Sequence, residues 1–238
     1  MTKKIVLTML AAVGIASAGS ASEDTLINGL PLGVTGSYTT KDVWRGQDQG
    51  NDDLSFGIGA DLHVFGIDAA TSLDWSSNSN QDEFVFGIGT ATDFQLPVLA
   101  DVTFGAEFNY YSEGTDVVGD VTSELGLGLT KDYGFGVVSV TQFLALDGDN
   151  DGYGEVSVDL GEVAPGITAT ATAGYLLEEF ELTHVQVAAD LPGVPVPFIG
   201  LEVSPFVKGV YVFDDRGGIW AGNDGFVFVG GLSLGRTF

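Results

Sequence analysis

The chain has 238 residues, of which 45% are hydrophobic, 35 are glycine and none is cysteine, and its formal net charge is −25. The apolar content excludes an intrinsically disordered chain, and the lack of cysteine excludes disulfides and thiolate metal centres. Only eight residues are Lys or Arg, so a surface that neutralises a nucleic-acid backbone is excluded, and we expect no nucleic-acid partner.

Residues 1–21 predict a secretory signal peptide. Two lysines near the start precede an apolar run over residues 5–15, which is too short for a membrane-spanning helix, and small residues then lead up to Ala21. Cleavage after Ala18 and cleavage after Ala21 both fit the pattern, and an uncleaved N-terminal anchor helix is the alternative. We expect residues 22–238 to form a single domain.

Beyond the signal, apolar residues alternate with polar or small ones. Phe56 and Ile58 share one face of their segment, whereas Gly57 and Gly59 share the other. A period of two residues is typical of β-strands. The same alternation recurs in the segments 34–41, 67–76, 84–89, 100–111, 120–129, 155–160, 167–175, 199–211 and 224–238. We count about twelve strands and no helix after the signal, which predicts an all-β fold.

Two later segments are less regular. Residues 135–146 are apolar on both faces, so the sequence does not assign which face points inward. In residues 180–189 the parity of the alternation changes midway, which predicts a β-bulge. The other strands each have one apolar face that must be buried in a core or in lipid.

The connections and the aromatic residues distinguish two possible architectures. A soluble sandwich or barrel buries its apolar faces inside, whereas a membrane barrel turns them towards lipid and lines its interior with small and polar residues. Tight connections at residues 65–66 and 131–134 alternate with longer, acidic ones such as 43–53, and aromatic residues lie near both ends of the strands. Outer-membrane barrels show this alternation and two aromatic girdles. The sequence therefore predicts a transmembrane, antiparallel, up-and-down β-barrel of about 12 strands, and a secreted soluble β-protein is the alternative.

The segment YTTKDVWRGQDQG, residues 38–50, resembles the opening motif of the TorF-type porins, a family of outer-membrane β-barrels. An early strand of that family reads approximately S-D-Y-x-[FW]-R-G-x-[SD]-Q. The matching residues here are Asp42, Trp44, Arg45, Gly46 and Gln49. Val43 takes the place of the aromatic residue that usually follows the aspartate. The resemblance implies a channel-like outer-membrane barrel and no particular substrate.

Acidic residues dominate the face that the alternation turns inward. We expect the lumen to be lined by Arg45, Asp61, His63, Asp68, Asp74, Asp101, Glu107, Glu124, Glu155, Asp159, Glu202 and Lys208. Charged rings in a narrow pore select ions by sign, and an acidic wall concentrates cations. The sequence predicts a porin-like channel for passive diffusion of small solutes or ions, with a preference for cations. A closed barrel with a structural or adhesive role is the alternative.

The pair Asp61 and His63 is a candidate for catalysis, because residues two apart on a strand point to the same side. A carboxylate beside a histidine can orient a general base, but ordinary polar lining of a lumen also accounts for the pair. With two histidines and no cysteine, the chain offers few catalytic groups. We predict no enzymatic activity.

Residues 147–152, DGDNDG, have the spacing of a calcium-binding loop. Asp147, Asp149 and Asp151 would supply oxygen ligands, but the twelfth position, normally glutamate, is Val158. We expect weak binding of Ca²⁺ or Mg²⁺ at most and no other cofactor. An acidic turn without a metal is the alternative.

The alternation continues to the end of the segment 224–238, as expected if a last strand pairs with a first strand to close a barrel. Leu232, Leu234 and Phe238 also resemble the signal that the outer-membrane barrel-assembly machinery reads. Arg236 departs from it, since an apolar residue is usual there. The expected partners are this machinery, outer-membrane lipid and small solutes or ions, and the expected location is the outer membrane of a Gram-negative bacterium.

Overall fold

The computed structural model describes residues 32–45, 47–64, 67–78, 82–96, 100–115, 121–147, 152–177, 181–197, 200–213 and 225–237. Its strands are β1 (Leu32–Trp44), β2 (Gln47–Val64), β3 (Ile67–Ser77), β4 (Asp82–Leu96), β5 (Ala100–Thr115), β6 (Val121–Asp132), β7 (Val137–Ala145), β8 (Tyr153–Ala164), β9 (Ile167–Leu176), β10 (Glu181–Asp190), β11 (Val194–Val196), β12 (Leu201–Val212) and β13 (Gly225–Thr237). The predicted signal peptide and Phe238 lie outside the described residues, so both assignments stay predictions.

Twelve of these strands form one closed antiparallel ring. Consecutive strands pair from β1 to β10, β12 pairs with β10 and β13, and β13 pairs with β1. The closing register runs from Gly33 opposite Thr237 to Thr39 opposite Gly231. A closed ring satisfies the backbone hydrogen bonds that lipid cannot satisfy. The predicted all-β, antiparallel barrel of about twelve strands is confirmed.

The bulge predicted in β10 is also present. The register between β10 and β9 shifts between Leu182 and His184, so that Leu182 and Val185 are both exposed while His184 is buried. Among the described strands, the three-residue β11 pairs only with β12. It continues the line of β10 after a second irregularity, where the amide of Leu191 donates to the carbonyl of Pro205.

The alternation places large apolar side chains on the outside. On β5, Tyr110 is 48% exposed, whereas Tyr111 is 1% exposed and faces the interior. On β13, Phe226 and Phe228 are exposed, whereas Val229 is buried. Leu232 lies on the same outward face as the two phenylalanines, as does Leu234 by the alternation. An outward apolar band is what contact with lipid requires. Among the described residues, no helix is long and apolar enough to span a membrane.

The first outer connection differs from the prediction. The acidic composition of residues 43–53 predicts a long loop, but Val43 pairs with Asp48 and Trp44 pairs with Gln47. The hairpin of β1 and β2 therefore closes between Trp44 and Gln47. β2 has 18 residues, more than the roughly 9–11 that cross a bilayer. Strand pairing thus continues through a segment whose composition is typical of a loop.

Candidate functional site

The closed end of the β1–β2 hairpin bends into the barrel. The register of the two strands shifts between Asp42 and Val43, and such a bulge bends the strand that carries it. Arg45 has a φ of 48°, which is the left-handed conformation of a tight turn. Val43 and Arg45 are each only 7% exposed, since both are covered by the barrel interior.

Arg45 is held by a buried carboxylate. Its Nη1 donates to Oε1 of Glu124 and its Nη2 donates to Oε2, each at 2.8 Å. The side chains are 4% and 0% exposed. The hydroxyl of Tyr111 donates to Oε2 of Glu124 at 3.1 Å. A bidentate pair of this kind fixes the plane of the guanidinium as well as its position.

Two aromatic rings cover the guanidinium of Arg45. Its Cζ lies 4.3 Å from the ring centroid of Phe143 and 4.4 Å from that of Tyr153. The hydroxyl of Tyr153 donates to Oε1 of Glu155 at 2.5 Å. Cation–π contacts at this distance add to the attraction of the carboxylate. We call Tyr111, Glu124, Phe143 and Tyr153 the guanidinium cage.

The cage lies on the wall opposite the start of the hairpin. Its residues belong to β5, β6, β7 and β8. Around the ring, β7 is six strands from β1 in either direction. The hairpin end therefore crosses the lumen.

The other side of the hairpin end packs on an apolar wall. Val43 forms a buried cluster with Val210 and Val212 of β12 and Val229 of β13; we call these last three residues the valine wall. Nζ of Lys208 donates to the carbonyl of Val43 at 3.2 Å. Since β13 is the neighbour of β1 and β12 is next to β13, these contacts lie on the side of the barrel from which the hairpin starts.

Glu107 lies next to the cage, on the same inward face of β5 as Tyr111. Its register partners are Gly89 on β4 and Gly126 on β6. A Cβ at position 126 would come within 2.7 Å of Cγ and 2.8 Å of Oε1 of Glu107. The carboxylate thus lies over Gly126, because glycine leaves room for it.

The predicted lumenal residues fall into two groups. Arg45, Glu107, Glu124, Glu155 and Lys208 come together around the hairpin end. The alternation places the others on inward faces away from it: Asp61, Asp68, Asp74, Asp101, Asp159 and Glu202. The side chain of His63 lies outside the described set, so its predicted lumenal position and its pairing with Asp61 stay predictions.

The sequence did not identify Phe143, Tyr153 or the valine wall as parts of a site. Phe143 lies in the segment that is apolar on both faces, so the alternation could not orient it. In the structure Val140 and Leu144 are exposed, whereas Phe143 is 1% exposed. The spacing of Tyr153 and Glu155, two apart on one strand, was the available signal for that pair.

Asp147 of the predicted calcium loop is engaged by the start of β6. Its Oδ1 accepts from the amides of Thr122 and Ser123 at 3.1 and 2.8 Å, and its Oδ2 accepts from the hydroxyl of Thr122. These hydrogen bonds, that of the Thr122 hydroxyl most of all, lower the pKa of the Asp147 carboxyl. Asp149 and Asp151 lie outside the described residues. Elsewhere in the described chain, no three His, Asp or Glu side chains form a metal-binding group, and the calcium loop stays a prediction.

Comparison with known proteins supports the fold. No protein-family model matches the chain, so the resemblance to TorF-type porins stays a prediction, and no curated protein matches it. Among solved structures, a chain from a study of in-meso crystallization of membrane proteins is 12% identical, covers 87% of this chain and 84% of its own length, and has a TM-score of 0.51.

Two further structures are outer-membrane proteins. Omp33 of Acinetobacter baumannii is 12% identical, with coverage of 87% of this chain and 98% of its own and a TM-score of 0.45. The outer membrane phospholipase A of Escherichia coli is 12% identical, with coverage of 86% and 91% and a TM-score of 0.49. At these identities the likeness concerns the fold alone. The closed ring of strands and its outward apolar faces make this chain a membrane β-barrel of the outer-membrane type.

Proposed function

We propose that this protein is a porin-like channel of the Gram-negative outer membrane, which admits small solutes by passive diffusion and prefers cations. The proposal is supported by one observation above all: carboxylates outnumber Lys and Arg on the inward faces of the described strands. Such a wall attracts cations and repels anions. Outer-membrane lipid would cover the outward apolar faces, and the barrel-assembly machinery would insert the chain.

The hairpin end lies across the pathway that a solute would take. It reaches from the valine wall to the guanidinium cage, so a solute must pass beside it. Glu107, Glu124 and Glu155 surround this level, and Arg45 and Lys208 offset part of their charge. Selection by charge is strongest where a pore is narrow and shielded from bulk water.

Reversal potentials in planar bilayers test the proposal. Across a tenfold KCl gradient, we expect the reversal potential to have the same sign as the equilibrium potential of K⁺. The double variant Asp61→Asn, Asp68→Asn removes two inward carboxylates and should reduce the potential. Asp82→Asn removes a charge at the outer end of β4, on the same face as the exposed Phe84, and should leave it unchanged. A potential of zero or of the anion sign in the wild type would contradict the cation preference.

The second candidate function is that of a closed barrel with a structural or adhesive role, and the lumen-crossing hairpin favours it. Arg45 is bound on three sides, by Glu124, Phe143 and Tyr153. A closed barrel predicts no conductance in the wild type and conductance in Arg45→Ala. Conductance in both proteins, larger in the variant, supports the channel instead.

A further inference from the structure

The carboxylates near the hairpin end differ in their hydrogen-bond partners. Glu124 accepts both hydrogen bonds of Arg45, and Glu155 accepts the hydroxyl of Tyr153. Glu107 is 7% exposed, and neither of its carboxylate oxygens has a hydrogen-bond partner among the described residues. Burial of a charged group without a partner is unfavourable. Glu107 is therefore the group at this level that still requires a donor.

The side chain of Asn109 lies beside the Glu107 carboxylate. Asn109 is 1% exposed and lies two residues from Glu107 on the same face of β5. Its Nδ2 is buried and has no hydrogen-bond partner in the described structure. One amide N–H can donate to only one of the two Glu107 oxygens, so at least one oxygen of this carboxylate still lacks a donor.

The charges at this level favour a monovalent cation. When all of them are ionised, three carboxylates (Glu107, Glu124, Glu155) face two cations (Arg45, Lys208), which leaves 2 − 3 = −1. One further positive charge would make the level neutral. Glu107 can accept two N–H donors, one on each oxygen.

A metal ion fits this position poorly. Ca²⁺ takes 6–8 oxygen ligands and Mg²⁺ needs a nearly complete octahedron. No group of three or more His, Asp or Glu side chains in the described residues could hold a metal. An organic cation with N–H donors needs only one carboxylate, and Arg45 on Glu124 shows how such a group is held here.

We propose that Glu107 and Asn109 form a lumenal site for organic solutes that carry one ammonium or guanidinium group, which binds the Glu107 carboxylate beside Arg45. The inference rests on the proposed function, since it names the class of solute that the channel would take. The glycines at positions 89 and 126 are part of the site, because they allow the Glu107 side chain to lie flat against the wall.

Isothermal titration calorimetry of the folded full-length protein in detergent tests the site directly. Methylguanidinium is the probe, and methylurea, which has a similar shape and no charge, is the control ligand. We expect methylguanidinium to bind and methylurea not to bind. Glu107→Gln should weaken binding at least about tenfold, since it removes a charge-assisted pair. Asp82→Asn, which removes an exposed charge outside the lumen, should bind as the wild type does.

A second variant retains the negative charge of Glu107 but displaces its carboxylate. In Gly126→Ala the new Cβ would meet the side chain of Glu107, so the carboxylate must leave its position, and binding should again weaken. Equal affinity in wild type and Glu107→Gln, equal binding of the two ligands, or no binding to the wild type would overturn the proposal.

A bilayer measurement separates the site from the channel function. Methylguanidinium on one side should reduce the K⁺ current of the wild type and have less effect on that of Glu107→Gln. A conducting, cation-selective protein that shows no calorimetric binding refutes the site and leaves the channel proposal intact. A protein without conductance that binds methylguanidinium through Glu107 refutes the channel and retains the site.

Discussion

The hairpin end that crosses the lumen touches two regions of the barrel that differ in chemistry. On one side, the valine wall buries it among apolar side chains of β12 and β13. On the other, the guanidinium cage holds Arg45 by a carboxylate and two aromatic rings. The same short segment is therefore stabilised by the hydrophobic effect at one wall and by electrostatics at the other.

The two contacts also differ in how they arise. The valine wall lies on strands beside β1, so ring closure alone brings it to Val43. The cage pairs Arg45 with a residue 79 positions away in the sequence, and it is reached only because the hairpin bends at the bulge after Asp42. We infer that the valine wall fixes the base of the bend and that the cage fixes its end.

The largest effect is expected from Glu124→Gln. The substitution leaves the guanidinium of Arg45 buried without its carboxylate, and breaking a buried pair in this way costs about 3 kcal/mol of unfolding free energy. Urea unfolding of the protein in detergent measures the loss. Single-channel conductance should rise, because the hairpin end loses its attachment to the cage.

The double variant Arg45→Met, Glu124→Met distinguishes a broken pair from a general loss of packing. Buried ion pairs are often replaced by apolar residues at little cost, so the double variant should be more stable than Glu124→Gln. A double variant that is as unstable as the two single changes added together would show that Arg45 and Glu124 do not act as a pair.

The valine wall should respond less and in a different way. Val229→Ala removes two methyl groups from a fully buried side chain, which costs about 1.6 kcal/mol of unfolding free energy at 0.8 kcal/mol per buried carbon. Ion selectivity should stay as in the wild type, because no charge changes. Val227→Ala, at a partly buried neighbour, should cost less. A change in reversal potential with Val229→Ala would contradict the assignment of selectivity to the charged wall.

Tyr111→Phe weakens the cage without removing a charge. It deletes one hydrogen bond to Glu124, while Arg45 still holds that carboxylate, so the expected loss is about 1 kcal/mol. Tyr110→Phe is the matched control, since its ring lies on the outward face of the same strand. Equal losses in the two variants would show that the hydroxyl of Tyr111 contributes nothing to the cage.

The alternation of residues was enough to predict the barrel and the inward side of most strands. It correctly assigns Tyr110 to the outward face and Tyr111 to the inward face of β5. It also assigns Glu107, Glu124 and Glu155 to inward faces. It fails for residues 135–146, because a segment that is apolar on both faces does not indicate which of its faces points inward. The register with β6 and β8 decides that orientation.

The pairing of Arg45 with Glu124 could not be predicted. Arg45 lies in a segment whose acidic composition is typical of a loop, and its position depends on a bulge and on the closure of the whole ring. Such contacts follow from the three-dimensional arrangement of strands rather than from local pattern. The contacts of Val43 could not be predicted for the same reason, since its partners lie on the last two strands of the chain.

The smallest effect is expected at the outer rim of the cage, where Asp147 accepts hydrogen bonds from Thr122 and Ser123, the residues before Glu124. Because the folded pKa of Asp147 is lowered, its contribution to stability is present above its ordinary pKa and is lost as the pH falls through the folded value. Melting temperatures between about pH 5 and pH 2 should therefore decrease more in the wild type than in Asp147→Asn. If this rim also orients the cage, Asp147→Asn will raise the single-channel conductance slightly at neutral pH, in the direction of Glu124→Gln. An unchanged conductance would show that the cage depends on Arg45 and its direct partners alone.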